Sequence, residues 1–161
     1  ILLAEIDNLD EGILNSKMDT KIVKRLEPVL NTSATYTIDF PVTLAAIDAE
    51  NYIITSSKFT LGGDATCYFR NKLNSDIIEV VNGEGTIVKT NIGCYGPSDG
   101  NVVLTGFAPE ALYLSRDYIK VIAVPANQST VRPLRNYVLD YDAELSVASV
   151  VTDYEETAVT L

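Results

Sequence analysis

There is no histidine in this chain, and no tryptophan. Without histidine, the commonest general base and the commonest transition-metal ligand are both missing. A Ser-His-Asp or Cys-His site cannot be assembled from these residues alone. Cysteine is scarce as well. Cys67 and Cys94 are the only two, they form no Cys-x-x-Cys pair, and their spacing demands no bridge. They read as free, apolar thiols. Long hydrophobic runs are lacking. No apolar stretch reaches the roughly 18 residues that cross a bilayer, and no signal-peptide pattern opens the sequence.

Positive charge is in short supply. Twelve basic residues stand against 22 acidic ones, for a net charge of −10. Such a surface repels phosphate backbones and anionic headgroups, so neither nucleic acid nor a membrane is the expected partner. The same field favours solubility and the selection of basic protein partners. A glycine-rich phosphate loop is absent, because Gly83-Glu84-Gly85 joins two strand-like runs and opens no helix.

What is present is the material of a β protein. The chain has 161 residues, 47% of them apolar, and is rich in Val, Ile, Thr and Tyr. At this size folding buries roughly 68–70% of the unfolded chain's surface, so a core needs no metal or disulfide. The ends, Ile1-Leu2-Leu3-Ala4-Glu5-Ile6 and Val159-Thr160-Leu161, lie inside apolar patterns and read as those of a fragment. Residues 1–15 carry helical spacing at Leu2, Ile6, Leu9 and Ile13, which predicts a short helix or turn. From 18 to 29 the pattern becomes extended, with Met18, Thr20, Ile22, Lys24 and Leu26 opposing Asp19, Lys21, Val23, Arg25 and Glu27; Pro28 ends it or marks an edge.

Further strands are expected at 36–40, 51–61, 65–70, 76–81, 86–90, 102–107 and 118–124, with weaker ones at 136–139 and 145–152. Gly62-Gly63 and Asn82-Gly83-Glu84-Gly85 predict tight hairpins, and Pro97-Ser98-Asp99-Gly100 another turn. Residues 108–112 predict one helical turn, with Pro109 at a first helical position. The fold class is therefore mainly β: antiparallel sheets or a sandwich of about nine short strands with a small helical start. Residues 1–30 divide off as the helical start and first strand, able to serve as a connector, and residues 31–161 as a β-rich interaction domain.

Chemistry-bearing constellations are weak. Ser16-Lys17 is a chance adjacency. Asp7-Asn8-Leu9-Asp10-Glu11-Gly12 lacks the register of a calcium loop, and Asp140-Tyr141-Asp142 and residues 153–156 are shorter still. No catalytic residue, metal ligand or cofactor is expected, and the chain is not expected to be an enzyme. Two segments stand out by charge instead. Residues 17–25 hold Lys17, Lys21, Lys24 and Arg25, and residues 131–137 hold Arg132 and Arg135 beside Tyr137. Arginine pairs bidentately with carboxylates, and Arg and Tyr are over-represented at the energetic centres of interfaces. Lys21, Lys24, Arg25, Arg132, Arg135 and Tyr137 are accordingly the candidate subunit-interface residues, the competing reading being an ordinary intramolecular salt-bridge network.

The same segments carry a family resemblance. Asn15-Ser16-Lys17-Met18-Asp19-Thr20-Lys21-Ile22-Val23-Lys24-Arg25, then Ile38-Asp39-Phe40-Pro41-Val42, then Val124-Pro125-Ala126-Asn127-Gln128-Ser129-Thr130-Val131-Arg132-Pro133-Leu134-Arg135-Asn136-Tyr137 resemble the C-terminal part of the ring-forming baseplate wedge proteins of T-even-type contractile-tailed phages. Residues 62–64 and 112–117 have no counterpart in it. The resemblance implies a structural component of the virion, assembled in the host cytoplasm and located in the tail baseplate. It implies a homodimer that joins neighbouring wedges into a ring and contacts other wedge proteins. The alternative is a carbohydrate- or receptor-binding β-sandwich of a tail fibre or surface protein, for which Tyr95, Tyr113, Tyr141 and Tyr154 are the candidate binding aromatics.

Overall fold

The computed structural model describes residues 20–127, and strands dominate them. In chain order these are β1 (Ile22–Leu26), β2 (Ala34–Asp39), β3 (Ile54–Ser56), β4 (Phe59–Leu61), β5 (Asp64–Asn71), β6 (Ile77–Val81), β7 (Ile87–Gly96), β8 (Asn101–Phe107), β9 (Ala111–Leu112) and β10 (Ile119–Ala123). Every ladder between them is antiparallel. The main sheet runs in the order β1-β10-β3-β5-β6-β7-β8-β2, and β4 and β9 branch from β5. It curls nearly closed, like a barrel. The expected mainly β class is the class found. The helix expected within 1–15 and the strands expected at 136–139 and 145–152 lie outside the described residues.

The alternation read from the sequence at 18–29 and 36–40 is the alternation of β1 and β2. On β1, Ile22 and Leu26 are buried, Lys24 on the same face is half-buried, and Val23 and Arg25 are exposed. Inward residues meet in one core in which Phe107 is central. Its ring lies 5.1 Å from that of Phe59, 6.1 Å from Phe69 and 6.3 Å from Tyr36, in each case nearly edge-on. Edge-to-face packing aligns the positive rim of one ring with the negative face of another. Around these rings Ile54, Ile78, Val80, Val102, Leu104, Ile119 and Val121 are all fully buried.

Both predicted tight hairpins form. Gly62 and Gly63 take φ of +60° and +79° between β4 and β5, the left-handed pair that a two-residue hairpin requires. Between β6 and β7, Asn82 Oδ1 accepts the Glu84 and Thr86 N–H groups at 3.1 and 2.9 Å, and Gly85 turns the chain at φ +84°.

Two expectations are corrected. Residues 51–61 do not form one strand but two, β3 and β4, parted at Ser57-Lys58. Serine hydroxyls replace the ladder at this break. Ser56 Oγ accepts the Phe69 N–H at 2.9 Å and Ser57 Oγ accepts the Lys120 N–H at 2.9 Å, so β3 stays with β10 while β4 leaves to pair with β9. The helical turn predicted at 108–112 is absent, and Ala111–Leu112 is strand β9. The Glu110 N–H donates to Thr60 O at 2.9 Å, and the Glu110 carboxylate accepts the Gly62 and Gly63 N–H groups at 2.9 and 3.1 Å. One isolated helical turn gains a single hydrogen bond for several fixed dihedrals, so these tertiary bonds prevail.

Candidate functional site

The break at Ser57-Lys58 has a second effect, because it holds both ends of the loop before β10. The Tyr113 N–H donates to Lys58 O at 3.3 Å, and the Ser57 N–H donates to Lys120 O at 2.9 Å. Between these anchors the chain makes one 3-10 turn at Tyr113–Ser115, closed by the Arg116 N–H on Tyr113 O at 3.2 Å. Leu114 and Ser115 both take φ of +54°, a left-handed conformation uncommon for residues other than glycine. That backbone turns Leu114 outward, where it is 66% exposed. A leucine held in strained backbone with its side chain in water contributes nothing to the core.

The loop meets β1 through aromatic rings. The Arg116 guanidinium lies 5.7 Å from the centre of the Tyr113 ring and 5.7 Å from that of Tyr118. Arg25 of β1 lies over the same Tyr118 ring, at 4.3 Å. Such contacts are worth about 0.5–1 kcal/mol at exposed sites, enough to orient a guanidinium but not to fix a fold. Register brings a further cation alongside, since Arg25 is opposite Lys120 on the antiparallel pair β1–β10. Lys21, Lys24, Arg25, Arg116 and Lys120 thus gather on one strand pair and its loop, flanked by the exposed acids Glu27 and Asp117. Val23 on β1 and Leu114 on the loop are exposed apolar side chains of the same elements.

Of the six residues expected at an interface, Lys21, Lys24 and Arg25 lie on or beside β1. Lys21 and Arg25 are exposed, and Lys24 is half-buried on the core-facing side of β1. Arg132, Arg135 and Tyr137 lie outside the described residues. No carboxylate of a described residue forms an ion pair with Lys21, Lys24 or Arg25. An ion pair that does form, Arg70 Nε to Glu79 Oε2 at 3.1 Å, lies farther along the sheet with Arg70 stacked on Tyr52 at 4.3 Å. Glu79 is buried and Arg70 mostly so, which gives this pair the character of a structural clamp.

Sequence reasoning missed the loop. Arg116 and Tyr118 are four and two residues from Lys120, but nothing in the sequence placed them against Arg25. The positive φ of Leu114 has no sequence signature, because asparagine or glycine is the usual marker. The available signal was Tyr113-Leu114, a large apolar pair between a short strand and the polar Ser115-Arg116-Asp117.

Other groups with chemical potential are committed to the fold. A polar cleft of about 570 Å³ is lined by Lys58, Asp64, Thr66, Asn82, Gly83 and Glu84. In it Asp64 Oδ1 accepts from the Thr66 hydroxyl and N–H at 2.6 and 2.8 Å, and these bonds hold its carboxyl below the usual range. The Thr66 hydroxyl oxygen accepts in turn from the Gly83 N–H at 2.9 Å. Cys67 is buried and Cys94 exposed, and both are free thiols. Burial, then the nearby Asp64 charge, pushes the Cys67 thiol up, away from the reactive thiolate. Tyr95, an expected sugar-binding aromatic, is 1% exposed and points its hydroxyl at Ala45 O. Burial raises its pKa, and no sugar can stack on it. Tyr113 is exposed, while Tyr141 and Tyr154 lie outside the described residues.

No protein-family model, no curated protein and no solved structure matches this chain.

Proposed function

We propose that this chain is a non-enzymatic assembly module that packs against other protein subunits through the β1–β10 edge. The observation that carries this reading is the convergence of Arg25 and Arg116 on the Tyr118 ring, beside a loop that turns Leu114 outward. Arginine and tyrosine are among the residue types that dominate binding energy at protein interfaces. A cationic edge on a chain of net charge −10 also gives assembly a direction, because the rest of a neighbouring copy is predominantly acidic. Basic edge against acidic face is a head-to-tail contact, and such contacts close into rings when the rotation allows. The resemblance of residues 15–25, 38–42 and 124–137 to the phage baseplate wedge proteins supplies the setting for this module: a virion component that links neighbouring wedges around the tail.

The test is the solution mass of the full chain across concentration, by sedimentation. We expect association that persists to low micromolar concentration. Reversing two exposed charges, Lys21→Glu with Arg25→Glu, should slow that association roughly tenfold while leaving the melting temperature unchanged. A chain that remains monomeric throughout overturns self-assembly through this edge. Equal loss of folding and of association in the double variant overturns it too, since these residues would then serve the fold.

A further inference from the structure

Among the described residues, β1 is an edge strand. Its ladder runs to β10 along one side, from Ile22 opposite Ala123 to Leu26 opposite Ile119, and no described residue pairs with its other side. An unpaired strand edge presents a row of N–H and C=O groups to any extended chain that fits. Proteins usually protect such edges with prolines, bulges or charges. Here Pro28 lies beyond the strand, and the five paired residues run without a register shift, so the edge is left straight. Among the described residues its protection is charge alone, on both faces: Lys21 and Arg25 point outward, and Lys24 lies between Ile22 and Leu26 on the inward face.

Those charges decide which strand can be added. A second copy pairing its own β1 with this one would set lysines and arginines against each other, and like charges directly opposite are destabilising. A neutral apolar strand would leave the cations without partners. A strand bearing carboxylates satisfies both the backbone row and the side chains. Exposed Val23, between Lys21 and Arg25, asks for an apolar neighbour at the intervening position.

We propose that the outer edge of β1 takes an added strand, an extended acidic segment of a partner protein with an apolar side chain between its carboxylates. Arg25, held over Tyr118, is the pre-oriented cation of the site, and Lys21 and Lys24 add charge at either face. The mode is strand addition, in which backbone bonds give affinity and alternate side chains give selectivity. This deepens the assembly reading and rests on it.

The experiment uses the full chain, isotope-labelled, with amide hydrogen exchange followed by NMR. The probes are a short peptide with glutamate, valine and glutamate at every second position and threonine between them, the same peptide N-methylated at every backbone nitrogen, and a short RNA. The glutamate–valine peptide should slow exchange of amides within Ile22–Leu26, and the Arg25→Glu variant should bind it roughly tenfold or more weakly. The N-methylated peptide carries the same charge but has no backbone N–H to donate, and should leave β1 unprotected. Equal binding of both peptides, or equal protection by the RNA, would overturn strand addition, as would an edge that stays unprotected throughout. Sedimentation separates this outcome from the broader reading. An unprotected edge on a chain that still self-associates removes the added strand and leaves the assembly module standing. A protected edge on a chain that stays monomeric supports the added strand and removes self-assembly.

Discussion

Asn71 is fully buried, and each polar atom of its side chain is answered by backbone. Its Oδ1 accepts the Ile53 and Ile54 N–H groups at 2.7 and 2.9 Å, and its Nδ2 donates to Lys72 O and Ser75 O at 3.0 and 3.4 Å. One amide thereby fixes the start of β3 and the turn after β5. Asn71→Ala would leave two buried N–H groups without acceptors, and should cost about 3 kcal/mol in urea denaturation. At the surface, Asp48 accepts from the Glu50 and Asn51 N–H groups and from the Asn51 amide, and its pKa is lowered chiefly by the Glu50 bond. Asp64 is lowered by Thr66 in the same way. A depressed carboxyl stabilises the fold fully above the ordinary aspartate range, and that contribution is lost as pH falls through the folded-state value below it. The urea midpoint of the wild type should therefore fall on acidification more steeply than that of Asp48→Asn or Asp64→Asn. Parallel curves would show that these bonds do not discriminate between protonation states.

At the scale of the element, β7 shows how one residue redirects a strand. Its first half, Ile87 to Asn91, is exposed, whereas Ile92 and Tyr95 are buried. The change comes just before Gly93, which takes φ +151°, and the register against β6 shifts between Lys89 and Gly93. A Cβ at this position would lie 1.8 Å from Val103 O, so no other residue can let β8 approach. Gly93→Ala should cost about 3 kcal/mol or more in chemical denaturation, through strain and lost pairing together. Gly85→Ala has open space around it and pays only for its left-handed backbone, about 1 kcal/mol. A similar loss in both variants would mean that β8 yields to the methyl group. The β3–β4 break acts at the same scale, because Ser57 and Lys58 anchor the loop that presents Leu114 and Arg116.

Charge works at the scale of the whole molecule. The global balance of −10 favours basic partners, yet the β1–β10 edge is locally cationic. Exposed charges act over about a Debye length, roughly 8 Å at physiological ionic strength, so a nearby face experiences the edge before the net charge. Association through this edge should slow as salt rises, measured as the association rate in stopped-flow light scattering. A rate indifferent to salt would place the contact on an apolar surface elsewhere.

The sequence by itself determined the strand-rich class, the positions of both tight hairpins, and which residues of β1 share a face. These follow from local rules: a two-residue alternation, a glycine pair that tolerates positive φ, and an asparagine that closes its own turn. It also marked Lys21, Lys24 and Arg25 as a concentration of charge. What only the tertiary structure decided was non-local. Ser57 breaks a run that reads as one strand because its hydroxyl finds Lys120, 63 residues away. Glu110 forgoes a helical turn because Gly62 and Gly63 offer two N–H groups across the fold. Arg25 and Arg116 share Tyr118 because antiparallel pairing sets β1 beside β10. Each of these bonds joins groups far apart in the chain, and a local pattern carries no information about a partner that folding has yet to bring near.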